Sequence, residues 1–157
     1  MNKKGALLAG KILSELEELT VVIGRIEQGM QSAETKGDDL YLDSVALNLH
    51  GFYSGVERIF ERIAAAIDGA VPEEANWHQE LLKQMSIEVP GVRPAVISSE
   101  LKEKLEEYRG FRHVVRNVYT YQLNPKKLKP LVRSLRKAMK ELQRELVAFV
   151  KFIQTAG

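Results

Sequence analysis

Apolar residues recur every three or four positions over two long segments at the start of the chain, a spacing typical of one face of an α-helix. The first predicted helix spans about residues 7–33, and the second ends near Asp68-Gly69. Between them, Gly37 suits a helix C-terminal cap and Asp38 suits the cap of the next N-terminus. The predicted core positions are Ile12, Leu16, Leu19, Ile23, Ile26 and Met30, then Leu42, Val45, Leu49, Phe52, Val56, Ile59 and Ile63.

The middle of the chain, residues 70–97, has a different pattern. Pro72, Pro90, Gly91 and Pro94 interrupt the backbone here. A short helix of about residues 73–86 fits between them, with Trp77, Leu81, Leu82 and Met85 on one side. We interpret this segment as a crossover that packs over one end of a bundle.

Two more amphipathic helices follow the crossover. Ser98 or Ser99 caps the third long helix, which the pattern carries through Tyr119 to Asn124-Pro125, where proline disfavours helix in the preceding residue. The fourth covers about residues 126–154, with Pro130 near its first turn. The expected fold is an all-α, up-and-down four-helix bundle formed by one domain, residues 1–157. The inward positions are Leu101, Leu105, Tyr108, Val115 and Val118, then Leu128, Leu131, Leu135, Leu142, Leu146, Phe149 and Ile153.

Bulk composition narrows the class of protein. The 157 residues are 45% hydrophobic and 28% charged, ordinary for a globular protein, and contain no cysteine. The sequence therefore offers no disulfide framework and no thiolate chemistry. No apolar run reaches the ~18 residues of a membrane span, and Glu15, Glu17 and Glu18 argue against a signal peptide. We expect a cytoplasmic protein without a membrane contact.

Charge is distributed unevenly. Residues 1–108 hold 11 lysines and arginines against 19 acidic residues, whereas residues 109–157 hold 12 against 2. An anionic partner for the C-terminal half explains this split, and so does attraction between helices within the fold. The basic outer face of the fourth helix is either a solvated surface or, if the third helix lies beside it, part of an RNA track.

Motifs for common cofactors and nucleophiles are absent from the sequence. His50, His78 and His113 are too scattered for a metal site, and there is no Glu-x-x-His pair, phosphate loop or nucleophile elbow. We expect no cofactor. For His50 a partly buried, hydrogen-bonded side chain is expected, and for His78 capping or packing.

The most distinctive segment is residues 108–119. On a helix, Arg109, Arg112, Arg116 and Tyr119 project as one stripe. Three aligned arginines need anions nearby, either acidic residues of the first two helices or a phosphate backbone held by arginine forks. Gly110, in mid-helix, indicates tight helix packing or the close approach of a ligand.

This segment resembles the signature of the HepT-like ribonuclease toxins of the HEPN superfamily, in which an arginine and a polar residue precede a histidine and a tyrosine. Arg112 matches the arginine, His113 the polar residue and Tyr119 the tyrosine, while Asn117 stands at the histidine position. The resemblance extends through residues 49–61 and 77–82 and covers most of residues 40–125.

The resemblance implies a metal-independent endoribonuclease that forms a homodimer and pairs with a nucleotidyltransferase antitoxin. In that family the antitoxin attaches AMP to the motif tyrosine, here Tyr119. The resemblance also implies that Arg112 holds the scissile phosphate while the RNA 2′-hydroxyl attacks it, with Arg109 and Arg116 as substrate-binding residues. The apolar Phe111 and Val114 side of the third helix gives independent support for a dimer.

Asn117 is the main departure from the family pattern. An amide donates a hydrogen bond but does not transfer a proton near neutral pH, as an imidazole does. Three explanations remain: a histidine replaced to silence a toxin, a naturally weakened relative, or proton transfer by His113. We favour the first two.

Three functions follow from these observations. The first is a HepT-like ribonuclease, active or silenced at Asn117. The second is a non-catalytic partner of a nucleotidyltransferase, which Asn117 favours. The third is a generic RNA-binding helical module. Without the family resemblance, Tyr119 is expected to be a tyrosine at the edge of the core with its hydroxyl in water.

Overall fold

Five helices form the part of the protein that the structure describes, and residues suited to capping stand at several of their ends. The computed structural model describes residues 2–156. The helices are α1 (Lys3–Lys36), α2 (Leu40–Ile63), α3 (Trp77–Met85), α4 (Ser99–Val115) and α5 (Pro125–Thr155). A π-helical turn, Ala64–Asp68, extends α2, and a 3₁₀ turn, Thr120–Gln122, precedes α5. The prediction of four long helices and one short crossover helix is confirmed.

Local chemistry explains where the helices start and stop. Gly37, at φ 61°, takes the left-handed conformation that ends α1. The N-cap residue of α2 is Asp39 rather than the predicted Asp38, but the Asp38 side chain still serves this helix end, since its Oδ1 accepts a hydrogen bond from the backbone amide of Leu40. Ser98 Oγ accepts from the Leu101 amide at 3.1 Å and thereby caps α4. Asn2 caps α1, which begins at Lys3, four positions before its predicted start.

The four long helices pack as a bundle around one apolar core. α1 packs against α2 and α5, and α4 packs against the same two helices. All six predicted core residues of α1, and those of α2 except the partly buried Leu42, are buried. In α5 the predicted core positions are likewise buried except Leu131, which is partly buried.

The crossover is fastened by one buried arginine. The Arg93 guanidinium donates to both carboxylate oxygens of Asp68, at 2.6 and 2.8 Å. It also donates to the backbone carbonyls of Gln84, Ile87 and Pro94. The side chain of Arg93 is fully buried. These bonds tie the last turn of α3 and the segment after it to Asp68, at the end of the π-helical turn that extends α2, and so they fix where α3 lies.

The third long helix is shorter than predicted. α4 ends at Val115, so Val118 and Tyr119 lie outside it, and Val118 is 39% exposed rather than part of the core. The side-chain amide of Asn117 donates a hydrogen bond to the backbone carbonyl of His113 at 2.7 Å. This local bond competes with continuation of the helix. β-branched and aromatic residues follow, and they are weak helix formers.

The prediction that Gly110 packs tightly against another helix of the bundle is also wrong. A Cβ atom built on Gly110 meets no other atom within 4 Å in the described residues. The close approach that a mid-helix glycine permits is therefore not used by a neighbouring helix of the bundle.

Candidate functional site

Three polar residues of α2 face the arginines of α4. His50, Tyr53 and Glu57 follow one another at spacings of three and four residues, so they share a face of α2. Tyr53 and Glu57 are buried and His50 is half-buried. Since α2 packs against α4, this face brings polar groups into a bundle that is otherwise apolar here.

A buried carboxylate joins three helices at this point. Glu57, only 2% exposed, pairs through Oε1 with Nη1 of Arg112 on α4. Its other oxygen, Oε2, lies 2.7 Å from Nδ1 of His78 on α3. A carboxylate only accepts hydrogen bonds. Nδ1 of His78 therefore carries a hydrogen and donates a hydrogen bond to Glu57. Glu57 therefore holds an arginine and a histidine side by side.

An open cleft lies directly over this group. Its volume is about 350 Å³. The sequence assigned six residues to the motif and its arginine stripe, and all of them except Tyr119 line the cleft, together with one histidine that the pattern did not single out for chemistry. The lining residues are Arg109, Arg112, Arg116, His113, Asn117 and His78.

The arginines of the cleft differ in how fully their charge is matched. Arg112 pairs with Glu57 of α2, and Arg109 pairs with Glu106 of its own helix at 2.8 Å. Arg116 forms no ion pair with any residue between 2 and 156. The expected pairing with acidic residues of the first two helices thus accounts for Arg112 alone, and the cleft keeps an excess of positive charge.

Three buried polar atoms near the cleft have no hydrogen-bond partner in the described chain. They are Nε of Arg112, Nδ1 of His50 and the hydroxyl of Tyr53. Unsatisfied buried polar atoms are rare in folded proteins and call for an explanation. The Arg112 Nε is a free donor on a guanidinium that lines the cleft. The prediction that His50 is partly buried is confirmed, but its Nδ1 lacks the expected hydrogen bond.

Burial and the nearby arginines determine the ionisation of this α2 face. Burial, reinforced by the charges of Arg112 and Arg116, lowers the pKa of His50, and Glu57 opposes the shift. Burial, followed by the Glu57 and Glu106 carboxylates, raises the pKa of Tyr53. His50 is therefore held neutral over more of the pH range than a free histidine, and the Tyr53 hydroxyl keeps its proton.

Tyr119 is placed apart from the arginine stripe. The stripe of three arginines is confirmed, but its predicted fourth member lies beyond the end of α4 in extended backbone, at φ −75° and ψ 145°. Tyr119 is 72% exposed, and its ring stacks on Tyr121 with 6.0 Å between ring centroids. Its hydroxyl is open to solvent rather than inside the cleft.

Glu57 and His78 are the residues that sequence reasoning did not assign to the site. One signal for Glu57 was available, because this carboxylate falls between Val56 and Ile59 on a face whose other members are buried. For His78 there was none, since a short crossover helix does not reveal which bundle helix its first turn meets. The expected packing role of His78 holds in part: its ring lies 3.6 Å, centroid to centroid, from that of Trp77.

Between residues 2 and 156, no group of three or more histidine, cysteine or acidic side chains is arranged to hold a metal ion. In the same part of the chain, every helix is too short or too polar to cross a bilayer.

Comparisons with known proteins give one match. A family model described as HepT-like protein matches residues 44–153, which include α3, α4, most of α2 and almost all of α5. No curated protein and no solved structure matches the chain. The match spans both Glu57 and the whole arginine cleft.

Proposed function

The chain belongs to the HepT-like family, and on that premise we propose that it is the toxin of a HEPN/nucleotidyltransferase toxin–antitoxin system. In this proposal it is a cytoplasmic endoribonuclease whose activity is lowered by Asn117. The observation that carries the proposal is the cleft over Glu57, where three arginines and two histidines converge. Such a set of side chains binds a phosphodiester and supplies groups for proton transfer.

Binding of the RNA backbone is supported by the unmatched charge of the cleft. Arg116 has no carboxylate partner in the described chain, and Arg112, whose Nη1 pairs with Glu57, retains an unused Nη2. Guanidinium forks match the geometry of phosphate oxygens. A phosphate bound here replaces the missing counterion and supplies an acceptor to Arg112.

The reaction that fits the cleft is transesterification within RNA. The 2′-hydroxyl attacks the adjacent phosphorus, the bond from phosphorus to the 5′-oxygen breaks, and a cyclic phosphate and a 5′-hydroxyl result. Arg112, fixed by Glu57, stabilises the charge that develops on the phosphorane. Asn117 donates a hydrogen bond but moves no proton. General acid–base catalysis contributes ~10²–10⁴-fold, so replacing the motif histidine by asparagine slows cleavage by up to this factor.

Control by a nucleotidyltransferase antitoxin is supported by the exposure of Tyr119. Its hydroxyl projects from a surface turn, where a second enzyme can reach it. Attachment of AMP adds a negative phosphate two residues after Asn117 of the cleft. That phosphate competes with RNA for the same arginines, which is the expected way for the modification to silence the toxin.

A homodimer is supported by an apolar groove between α4 and the start of α5. Phe111, Val114 and Val118 line a volume of about 630 Å³ together with Leu123 and Leu131. Val114 is 47% exposed in the single chain. A second copy that covers this groove buries these side chains and brings two clefts near each other.

Cleavage of a mixed RNA pool in EDTA tests the proposal. We expect slow cleavage by the unchanged chain and faster cleavage by the Asn117→His variant, by up to ~10²–10⁴-fold. Adding Arg112→Ala to Asn117→His should abolish the gain. A chain that cuts no RNA with either residue at position 117 contradicts the nuclease assignment.

The non-catalytic partner protein is the second candidate, and Asn117 is the observation that favours it. This candidate predicts that a nucleotidyltransferase binds the chain and modifies Tyr119, while the Asn117→His variant remains inactive on RNA. A generic RNA-binding module, in contrast, predicts RNA affinity without cleavage and without modification of Tyr119. Mass spectrometry after incubation with a nucleotidyltransferase and ATP separates the two.

A further inference from the structure

His78 is oriented more firmly than any other histidine of the cleft. Its Nδ1 donates to the buried Glu57 carboxylate at 2.7 Å, and the Trp77 ring covers one face of the imidazole. With Nδ1 protonated, the lone pair of the neutral ring is on Nε2. The side chain is 27% exposed and lines the cleft, so that lone pair is accessible to a bound molecule.

Glu57 places this imidazole next to the phosphate-binding arginine. Its Oε1 accepts from Arg112 and its Oε2 accepts from His78. Because both partners bind the same carboxylate, a phosphate held by Arg112 lies beside the His78 ring. The arrangement is that of a general base oriented by a carboxylate, with a fixed cation for the developing charge.

His113 lacks a comparable support. It is exposed on α4, and no residue from 2 to 156 accepts or donates a hydrogen bond at its ring. The backbone carbonyl of His113 accepts a hydrogen bond from the side-chain amide of Asn117, but this bond does not hold the ring. An imidazole that rotates freely is a poorer base than one held in position.

We propose that His78, held by Glu57, is the general base of this chain and replaces the histidine that is missing at position 117. The inference rests on the proposed ribonuclease function. In the step, Nε2 of His78 takes the proton of the RNA 2′-hydroxyl as that oxygen bonds to phosphorus. The bond from phosphorus to the 5′-oxygen breaks, and the departing oxygen takes a proton from water. The hydroxide left behind takes the proton from Nε2 of His78, which returns the imidazole to its neutral form. The products are a 2′,3′-cyclic phosphate and a 5′-hydroxyl, and no metal or oxidant enters the balance.

The experiment is RNA cleavage in EDTA by the unchanged chain and by variants, with thermal unfolding as the check on folding. We expect His78→Gln to reduce cleavage by about 10²–10⁴-fold without changing RNA affinity. The control, Gln79→Ala, changes an exposed residue of the same helix that does not line the cleft, and it should cut at the rate of the unchanged chain. Adding Asn117→His to His78→Gln should restore cleavage, since the motif histidine then supplies the base.

Chemical rescue separates a catalytic role from a structural one. His78→Ala removes the imidazole, and imidazole added to the buffer should restore part of the activity with the pH dependence of the added base. A histidine that merely links α3 to Glu57 is not replaced in this way by a free base.

Three results overturn the proposal. The first is equal cleavage by His78→Gln and the unchanged chain. The second is cleavage by Asn117→His alone, with none by the unchanged chain, which leaves the ribonuclease function intact and removes His78 from it. The third is no cleavage by either chain, in which case the ribonuclease function itself fails.

Discussion

The buried arginine of the crossover offers the sharpest test of how the fold positions the cleft. Replacing Arg93 by methionine keeps much of the side-chain volume but removes the bidentate pair with Asp68. It also removes one hydrogen-bond donor from each of the carbonyls of Gln84, Ile87 and Pro94. The Asp68 carboxylate, 6% exposed, then keeps the Gln84 amide as its one remaining donor in the described chain.

The expected loss of stability follows from the burial of this ion pair. Removing one partner of a buried ion pair typically lowers the free energy of unfolding by ~3–5 kcal/mol, because the other charge stays buried without compensation. An exposed pair is worth ~0–1 kcal/mol. Arg58 supplies the matched control, since it also makes two bonds to a carboxylate, that of Glu15, but its side chain is 55% exposed.

The assay is urea unfolding followed by far-ultraviolet circular dichroism at neutral pH. Arg93→Met should lose several times more stability than Arg58→Met. If both variants lose the same small amount, the buried pair does not hold the crossover and the reasoning is refuted.

Acid supplies a second check on the same pair. Burial alone raises the pKa of Asp68, but hydrogen bonds from Arg93 and Gln84 outweigh it and hold the pKa below its usual value. A carboxylate with a lowered pKa contributes stability above the unfolded-state value, about 3.9, and the contribution is lost as the pH falls through the folded-state pKa. The difference between the unchanged chain and Arg93→Met should therefore shrink in acid, below about pH 4.

Three further predictions concern the bundle, the α2 face and the dimer. Gly55→Ala should lower the free energy of unfolding in urea by ~1–3 kcal/mol, because the added Cβ would lie 2.6 Å from Cδ2 of the buried Leu19. Gly51→Ala, where a Cβ meets open space, should raise it by ~0.5–1 kcal/mol. Equal effects of the two changes would contradict the packing. Burial lowers the pKa of His50, so the unfolded chain binds more protons than the folded chain, and the free energy of unfolding should fall as the pH drops below about 6.5. His50→Gln should remove that part of the pH dependence. Parallel curves of stability against pH for the two chains would contradict this prediction. Val114→Glu should give a monomer in light scattering if a second copy covers the apolar groove, and an unchanged mass would exclude this groove as the interface.

Periodicity was sufficient to predict most of the fold. The apolar repeats of α1 and α2 place a core residue every three or four positions, and the structure buries nearly all of them. Gly37 and Ser98 mark helix ends in the sequence because their conformational and hydrogen-bonding properties act locally. Such features depend on neighbours along the chain, which a sequence displays directly.

Features that depend on distant contacts were not predicted. Arg93 reads as an ordinary charged residue between prolines, yet it is the buried centre of the crossover. The end of α4 was missed because the apolar stripe continues to Val118, while the Asn117 side chain bonds back to the helix and local propensity ends it. The arginine stripe was visible in the spacing, but the Glu57 and His78 side chains that meet it come from two other helices.

The central claim is that the arginine cleft holds the RNA backbone, and the salt dependence of RNA affinity tests it most directly. The measurement is fluorescence anisotropy of a labelled single-stranded RNA with the unchanged chain, with Arg116→Gln and with Arg25→Gln. Arg25 is an exposed arginine of α1, a helix that packs against α2 and α5. Arg116→Gln should bind more weakly and lower the slope of log affinity against log salt by about 0.7, the value of one released phosphate contact on a single strand. Arg25→Gln should match the unchanged chain, and an Arg116→Gln variant with undiminished affinity and slope would contradict the account.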